Sequence, residues 1–362
     1  MKEAKLSELS EAYAAGSLTD GLTAAVLSEL GLDLRASYGG RVLKNPFIVA
    51  PGQLTVNTGQ VEKIRDAGFA GCVLKSFVGE DGSGVCSMAF QRAKSTFIRT
   101  VYDADDPEGV MPIIHWDGRM DTRPLAGYLP FAKRCLEMSG PDFLVVASVL
   151  CHLPGPGELF KEEEWAHTLG AFYSLGFRLF EIDFCPSLKK ESDLIERENV
   201  LRWYRQSPEL MKRLYPGITV YPKLLNLDFG MEFQVEMARN AAEGGADGLV
   251  VANRFFRQDL NCAHGGKTLF ELNLRMVREI RKAVPDIAIS ATGGIYAGKN
   301  AFAYLREGAE NVQMLSYLMG KVKKPFRIED NKFRQVFHRL MFDEEDGLLA
   351  CMLRAEARGE VA

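Results

Sequence analysis

Thr292-Gly293-Gly294 follows a short apolar run at 287–291, and its backbone N–H groups stand clear of bulky side chains, so this turn can hold an anion. Ser316 follows a second apolar run and adds a hydroxyl. Other polar side chains recur where an apolar run stops: Lys75, Cys185, Lys223, and Asn253 with Arg254. Taken singly, each has an ordinary structural role. A lysine there is usually solvated, a cysteine is small core filler, and an asparagine caps a turn. Gathered on one rim opposite a phosphate-binding turn, they compose a shared site.

The order of elements is what gathers them. Apolar runs at 46–50, 72–76, 143–148, 179–184, 218–224, 249–253, 287–291 and 312–316 make eight strands. Helical patterns lie near 58–67, 128–138, 161–174, 195–213, 231–243, 268–283, 298–306 and 332–341. A helix end, a Gly-containing turn and an apolar strand recur at Ala67-Gly68-Phe69, Leu175-Gly176-Phe177, Gly244-Gly245-Ala246 and Gly308-Ala309. This alternation predicts an α/β fold, a (β/α)8 TIM barrel, whose C-terminal rim carries the chemistry and whose last two strands bind phosphate. Residues 78–124 are a long insertion after strand 2, read as a lid or substrate wall. The domain plan is a helical N-terminal extension over 1–34, the barrel over 35–325 and a helical C-terminal extension over 326–362. Residues 6–30 have helical spacing with Leu22, Val26, Leu27 and Leu30 on one side and acids elsewhere, which suits a packing helix better than a membrane-surface one.

Composition narrows the class. A chain of 362 residues with 47% hydrophobic content can bury a large core, and a net charge of -4 gives no electrostatic reason to expect nucleic acid or an anionic membrane. The cysteines at 72, 86, 135, 151, 185, 262 and 351 include no C-x-x-C pair, so neither a zinc knuckle nor an iron–sulfur segment is expected, and no metal site. An odd, scattered set suits a reducing cytosol. No signal peptide or membrane span is read, so the expected localisation is cytoplasmic.

From 43 to 318 the chain resembles the dihydroorotate dehydrogenase-like flavoproteins, FMN-binding barrels that include the FMN domain of dihydropyrimidine dehydrogenases. The resemblance rests on Lys44-Asn45-Pro46-Phe47 with Ala50-Pro51-Gly52, Ala67-Gly68-Phe69-Ala70-Gly71 leading to Leu74-Lys75-Ser76, and Glu181-Ile182-Asp183-Phe184-Cys185-Pro186-Ser187. It continues through Pro222-Lys223-Leu224, Ala252-Asn253, Thr292-Gly293-Gly294-Ile295 and Gln313-Met314-Leu315-Ser316. It implies FMN as cofactor. Ala50 and Gly52 would let the isoalloxazine approach the backbone, Lys223 would face its N1 and O2 edge, and Lys75 with Ser76 would lie toward the ring's other end. Asn253 would meet cofactor and substrate, and Gly293, Gly294 and Ser316 would hold the phosphate. Cys185 would exchange a proton with substrate carbon, Lys75 would assist, and Asp183 and Ser187 would position substrate polar groups.

The departures from the family pattern bear on the substrate. Asp183 and Ser187 stand where the family usually has Asn, Cys185 is one residue nearer to Asp183, and Leu315 replaces a glycine at the phosphate. The stretch that cradles orotate is missing, and Ile114-His115-Trp116-Asp117-Gly118-Arg119 lies in the insertion instead. Arg254, Arg119 and His115 are therefore candidates for an anionic or hydrogen-bonding substrate group. The expected activity is FMN-dependent oxidoreduction of a carbon–carbon bond next to a carbonyl in a small molecule that need not be a pyrimidine. Two alternatives are a flavin-barrel subunit or scaffold that has lost activity, and a tRNA dihydrouridine synthase-like enzyme, which the acidic 342–346 stretch disfavours. A redox partner protein is one route for the electrons, and a homo-oligomer packed through 332–357 is a further expectation.

Overall fold

A computed structural model of the chain describes residues 2–18, 21–92, 98–102, 111–116, 120–186, 188, 195–320 and 331–360. Eight parallel strands close into a barrel: β1 Phe47–Val49, β2 Gly71–Val73, β3 Leu144–Leu150, β4 Leu179–Asp183, β5 Thr219–Lys223, β6 Gly248–Val251, β7 Ala288–Thr292 and β8 Asn311–Met314. Each pairs with its neighbours in sequence, and β8 pairs with β1, so no edge is left open. The strands form because both of their faces are covered. Ile48, Val73, Leu144, Val146, Leu179, Tyr221 and Val250 fill the barrel, whereas Val145, Ala147, Val149, Phe180 and Ile182 join the apolar layer under the helices.

Around the sheet run α1 Thr58–Asp66, α2 Leu125–Leu136, α3 Glu162–Leu175, α4 Arg197–Leu214, α5 Met231–Glu243, α6 Phe270–Ala283, α7 Gly298–Arg306 and α8 Lys332–Phe342. The TIM-barrel reading of the sequence is met in strand order and helix order. The eighth of these helices, α8, packs against α1 and α7 and so fills the eighth place in the ring. Its apolar face is spent there: Phe337 lies 5.2 Å from the Phe69 ring and 5.6 Å from Tyr13. Val336, Phe337 and Leu340 are buried within their own chain.

The helical pattern at 6–30 is two helices, Lys2–Ala14 and Leu22–Leu30. Gly16 and Gly21 stand between them at φ 84° and 87°, a left-handed backbone that ends one helix before the other begins. The first helix is pinned to the barrel by Tyr13, whose hydroxyl donates to the Ala67 carbonyl at 2.7 Å. At the opposite end of the barrel from the rim, the hairpin Ala36–Tyr38 with Arg41–Leu43 closes the floor and sends the Tyr38 ring inside, edge-on to Tyr221 at 4.8 Å.

Over the mouth lies a four-stranded antiparallel sheet that the sequence did not reveal. Ile98–Val101 and Ile113–Trp116 come from the insertion after β2, and Phe255–Arg257 and Cys262–Gly265 from a shorter one after β6. Ile113–Trp116 pairs with Cys262–Gly265, placing His264 opposite His115 and Ala263 opposite Trp116. Side chains alternate across such a sheet, so Trp116 and Ile114 face the barrel while His115 and His264 face away.

Candidate active site

The rim and the overlying sheet enclose a cavity that gathers Ala50, Lys75, Asp183, Lys223, Asn253, Arg254, Gly293, Gly294 and Ser316 from among the residues named in the sequence. Trp116 and Gln313 join them there. Strand phase explains the selection: Glu181 and Asp183 on β4, Tyr221 and Lys223 on β5, and Asn311 and Gln313 on β8 alternate with residues that face the helices.

Asp183 is the electrostatic centre. Its Oδ2 accepts from Ser76 Oγ at 2.6 Å and its Oδ1 from Asn253 Nδ2 at 2.9 Å. Burial alone would raise its pKa, but Lys223, Lys75, the Ser76 hydrogen bond and Arg254 hold it below the usual carboxylate range. Asp183 is therefore an ionised counter-ion to the lysines. Lys75 is 4% exposed and Lys223 6%, and among the described residues neither ammonium donates a hydrogen bond. Burial pushes Lys75 down to about 8, with Asp183 opposing the shift and Arg254 adding to it. The indole of Trp116 lies 5.2 Å from Lys75 Nζ and 4.2 Å from the Arg254 guanidinium carbon, a cation–π contact to each.

The glycine turn after β7 is bare backbone for a steric reason. Gly293 at φ 108° has Asn273 Nδ2 2.5 Å from where a Cβ would stand, and Gly294 at φ 68° has Phe270 Cβ at 2.5 Å. Among the described residues the N–H groups of Gly293 and Gly294 donate to nothing. Two buried ammoniums, a guanidinium and a turn of free N–H groups around one cavity fit a flat, electron-rich ligand that carries a phosphate.

Several expected roles change. Gly52 does not line the cavity, because the Leu315 side chain lies over it, with Cδ2 2.3 Å from where a Cβ would stand. Ser76 is behind the wall, bonded to Asp183 and 2.9 Å from Ser148 Oγ. Cys185 is 1% exposed and is not among the residues that line the cavity, although it lies close enough to Lys75 to influence it. His115 is half-buried on the outer face of the covering sheet, where desolvation, Arg257 and Arg99 lower its pKa. Ser187 and Arg119 lie outside the described residues.

Trp116 and Gln313 were missed as site residues. The alternation Ile114-His115-Trp116 contained the signal, since a strand over the mouth must send one of the two rings inward. Which one depends on the pairing with Cys262–Gly265, a contact far away in sequence.

No family model matches the chain. Among curated proteins it is similar to the catalytic subunit of dihydroorotate dehydrogenase B (NAD(+)) from Thermotoga petrophila, 28% identical over 179 residues, which cover 46% of this chain and 63% of that protein. The NAD-dependent dihydropyrimidine dehydrogenase subunit PreA of Escherichia coli is 23% identical over 313 residues, 79% of this chain and 69% of that protein. The chloroplastic dihydropyrimidine dehydrogenase (NADP(+)) of Arabidopsis thaliana is 22% identical over 334 residues, 83% of this chain and 72% of that one. The match thus spans under two thirds of the Thermotoga relative.

Proposed function

The chain belongs to the dihydroorotate dehydrogenase-like family, and from that premise we propose that it is an FMN-dependent oxidoreductase acting on a carbon–carbon bond next to a carbonyl. The observation that carries this reading is the pair of buried ammoniums, Lys75 and Lys223, which open onto one cavity beside the Gly293-Gly294 turn and have no hydrogen-bond acceptor among the described residues. A buried cation needs an electron-rich partner, and a flavin ring offers one. When bound, FMN would supply hydride exchange with substrate carbon.

The residues of the chain do the rest. Gly293, Gly294 and Ser316 hold the phosphate through N–H and hydroxyl donors, and Lys223 faces the ring edge where negative charge collects. Asp183, fixed by Ser76 and Asn253, keeps both lysines in place. Lys75 is the proton carrier: it lines the cavity, and with a pKa of about 8 it exchanges its proton near neutral pH. Arg254, aligned on Trp116, meets an anionic part of the substrate. Electrons leave through a soluble oxidant, a nicotinamide or a partner protein.

The test of the reading is the absorbance of the purified protein, alone and after incubation with FMN. Flavin bands that survive desalting and bleach with dithionite are expected; a protein that retains none under either condition sinks the proposal. Trp116 supplies a second readout, because Trp165 and Trp203 are fully buried away from the cavity and donate to the His152 and Pro154 carbonyls at 2.9 and 2.8 Å. FMN binding should quench tryptophan emission in the parent chain, and Trp116→Phe should lose most of that quench while still retaining flavin. An identical quench in both proteins would place the cofactor elsewhere.

A further inference from the structure

Beneath the cavity a chain of hydrogen bonds fixes which way the Gln313 amide points, although amide oxygen and nitrogen are alike in shape. The chain starts at a group that can only accept: the Ser37 backbone carbonyl takes a hydrogen bond from Asn311 Nδ2 at 2.7 Å. Asn311 Oδ1 must then be an acceptor, and Ser290 Oγ donates to it at 2.5 Å. With its one proton committed, Ser290 Oγ accepts from Gln313 Nε2 at 3.0 Å. The second Nε2 hydrogen goes to Glu181 Oε1 at 2.5 Å, an oxygen that also accepts from the Tyr38 hydroxyl. Both amide hydrogens are thereby used, so Gln313 Oε1 must be the free end. Gln313 is fully buried and lines the cavity, and this oxygen has no partner among the described residues.

A buried carbonyl oxygen left unbonded is costly, so its position calls for a ligand N–H or O–H. Lys223, on the same cavity wall and acting on the same Glu181 carboxylate, offers the complementary donor. An acceptor and an ammonium donor that line one cavity and both act on Glu181 match the edge of a cyclic imide, where a C=O stands next to an N–H. Taking the FMN reading above as its basis, we infer that Gln313 Oε1 accepts the N3–H of the flavin's pyrimidine ring while Lys223 serves the adjoining O2. Tyr38, Glu181, Ser290 and Asn311 are positioning residues that hold the amide in this orientation. The floor hairpin thus takes part in cofactor recognition without touching the cofactor.

The experiment titrates the full-length protein, stripped of flavin, with FMN and with FMN methylated at N3, following flavin fluorescence. The parent chain should prefer FMN by about tenfold or more, the scale of a buried hydrogen bond lost with its partner left unsatisfied. Gln313→Met, which removes the acceptor at similar volume, should bind both flavins within about threefold of each other, the preference having been set by that single bond. Equal binding of the two flavins by the parent chain overturns the inference while leaving the FMN reading intact. An undiminished preference in Gln313→Met also overturns it, since some other group would then read N3. If neither flavin binds the parent chain, the FMN reading itself fails. Should Gln313→Met not fold, Ser290→Ala removes the acceptor that orients the amide, and it should reduce the preference in the same direction.

Discussion

Lys75→Met slows proton exchange with substrate by about 10² to 10⁴, the span that a positioned acid–base group contributes, while the flavin that stays bound still bleaches with dithionite. The expectation rests on position and on protonation state together. Lys75 lines the cavity, whereas Cys185, the residue type that the family resemblance favours for this task, is not among the residues that line it. Cys185→Ala is therefore expected to leave the rate within about threefold of the parent, because a buried thiol acts mainly as a small apolar filler. Rapid mixing with substrates drawn from a panel of unsaturated carbonyl compounds and their saturated counterparts measures both variants. The reverse ranking, with Cys185→Ala slow and Lys75→Met fast, would return the role to the thiol.

The pH dependence has a definite sign. The folded-state pKa of Lys75 lies at about 8, below the ordinary lysine value, because burial penalises the ammonium. In the direction that reduces substrate, Lys75 must start protonated, so the rate falls as pH rises through about 8. In the oxidising direction it must start neutral, and the rate rises through the same value. Stability follows a related rule. Between about 8 and the unfolded lysine pKa near ~10.4 the unfolded chain binds more protons than the folded one, so this group's contribution to stability increases with pH across that window. A limb absent from the Lys75→Met profile but present in Cys185→Ala identifies Lys75 as its source.

Lys223→Ala lowers the two-electron reduction potential of the bound flavin by about 30 to 60 mV, corresponding to a ten- to hundredfold weaker hold on the reduced form relative to the oxidised. The cause is the loss of a buried positive charge facing the ring edge, in a site where charge compensation is worth more than in water. Glu181 and Asp183 lose a shared counter-ion as well, since Lys223 is the largest favourable influence on both carboxylates. Lys223→Arg, which keeps the charge, should recover most of the potential. Spectroelectrochemical titration reads the effect; an unchanged potential with full flavin occupancy would reduce Lys223 to a structural lysine.

The sequence by itself determined the barrel, because that information is local and repeated. Apolar runs such as Leu144–Leu150, short and set between helical patterns, read as strands covered on both faces, and the Gly-containing turns mark where each helix stops. It also determined that Lys75, Lys223, Asn253, Arg254, Gly293, Gly294 and Ser316 share one rim, since strand ends in a parallel barrel all face the same way. What it left open was decided by contacts between residues far apart in the chain. Trp116, not His115, faces the cavity because Ile113–Trp116 pairs with Cys262–Gly265 in one register, and a shift of a single residue would exchange the two. Leu315 covers Gly52 because β8 lies beside β1, which strand order implies but side-chain identity does not. Only the folded barrel brings Ser37, Ser290, Asn311 and Glu181 together around Gln313, and a hydrogen-bond direction set by a backbone carbonyl more than 270 residues away in sequence has no local signature to read.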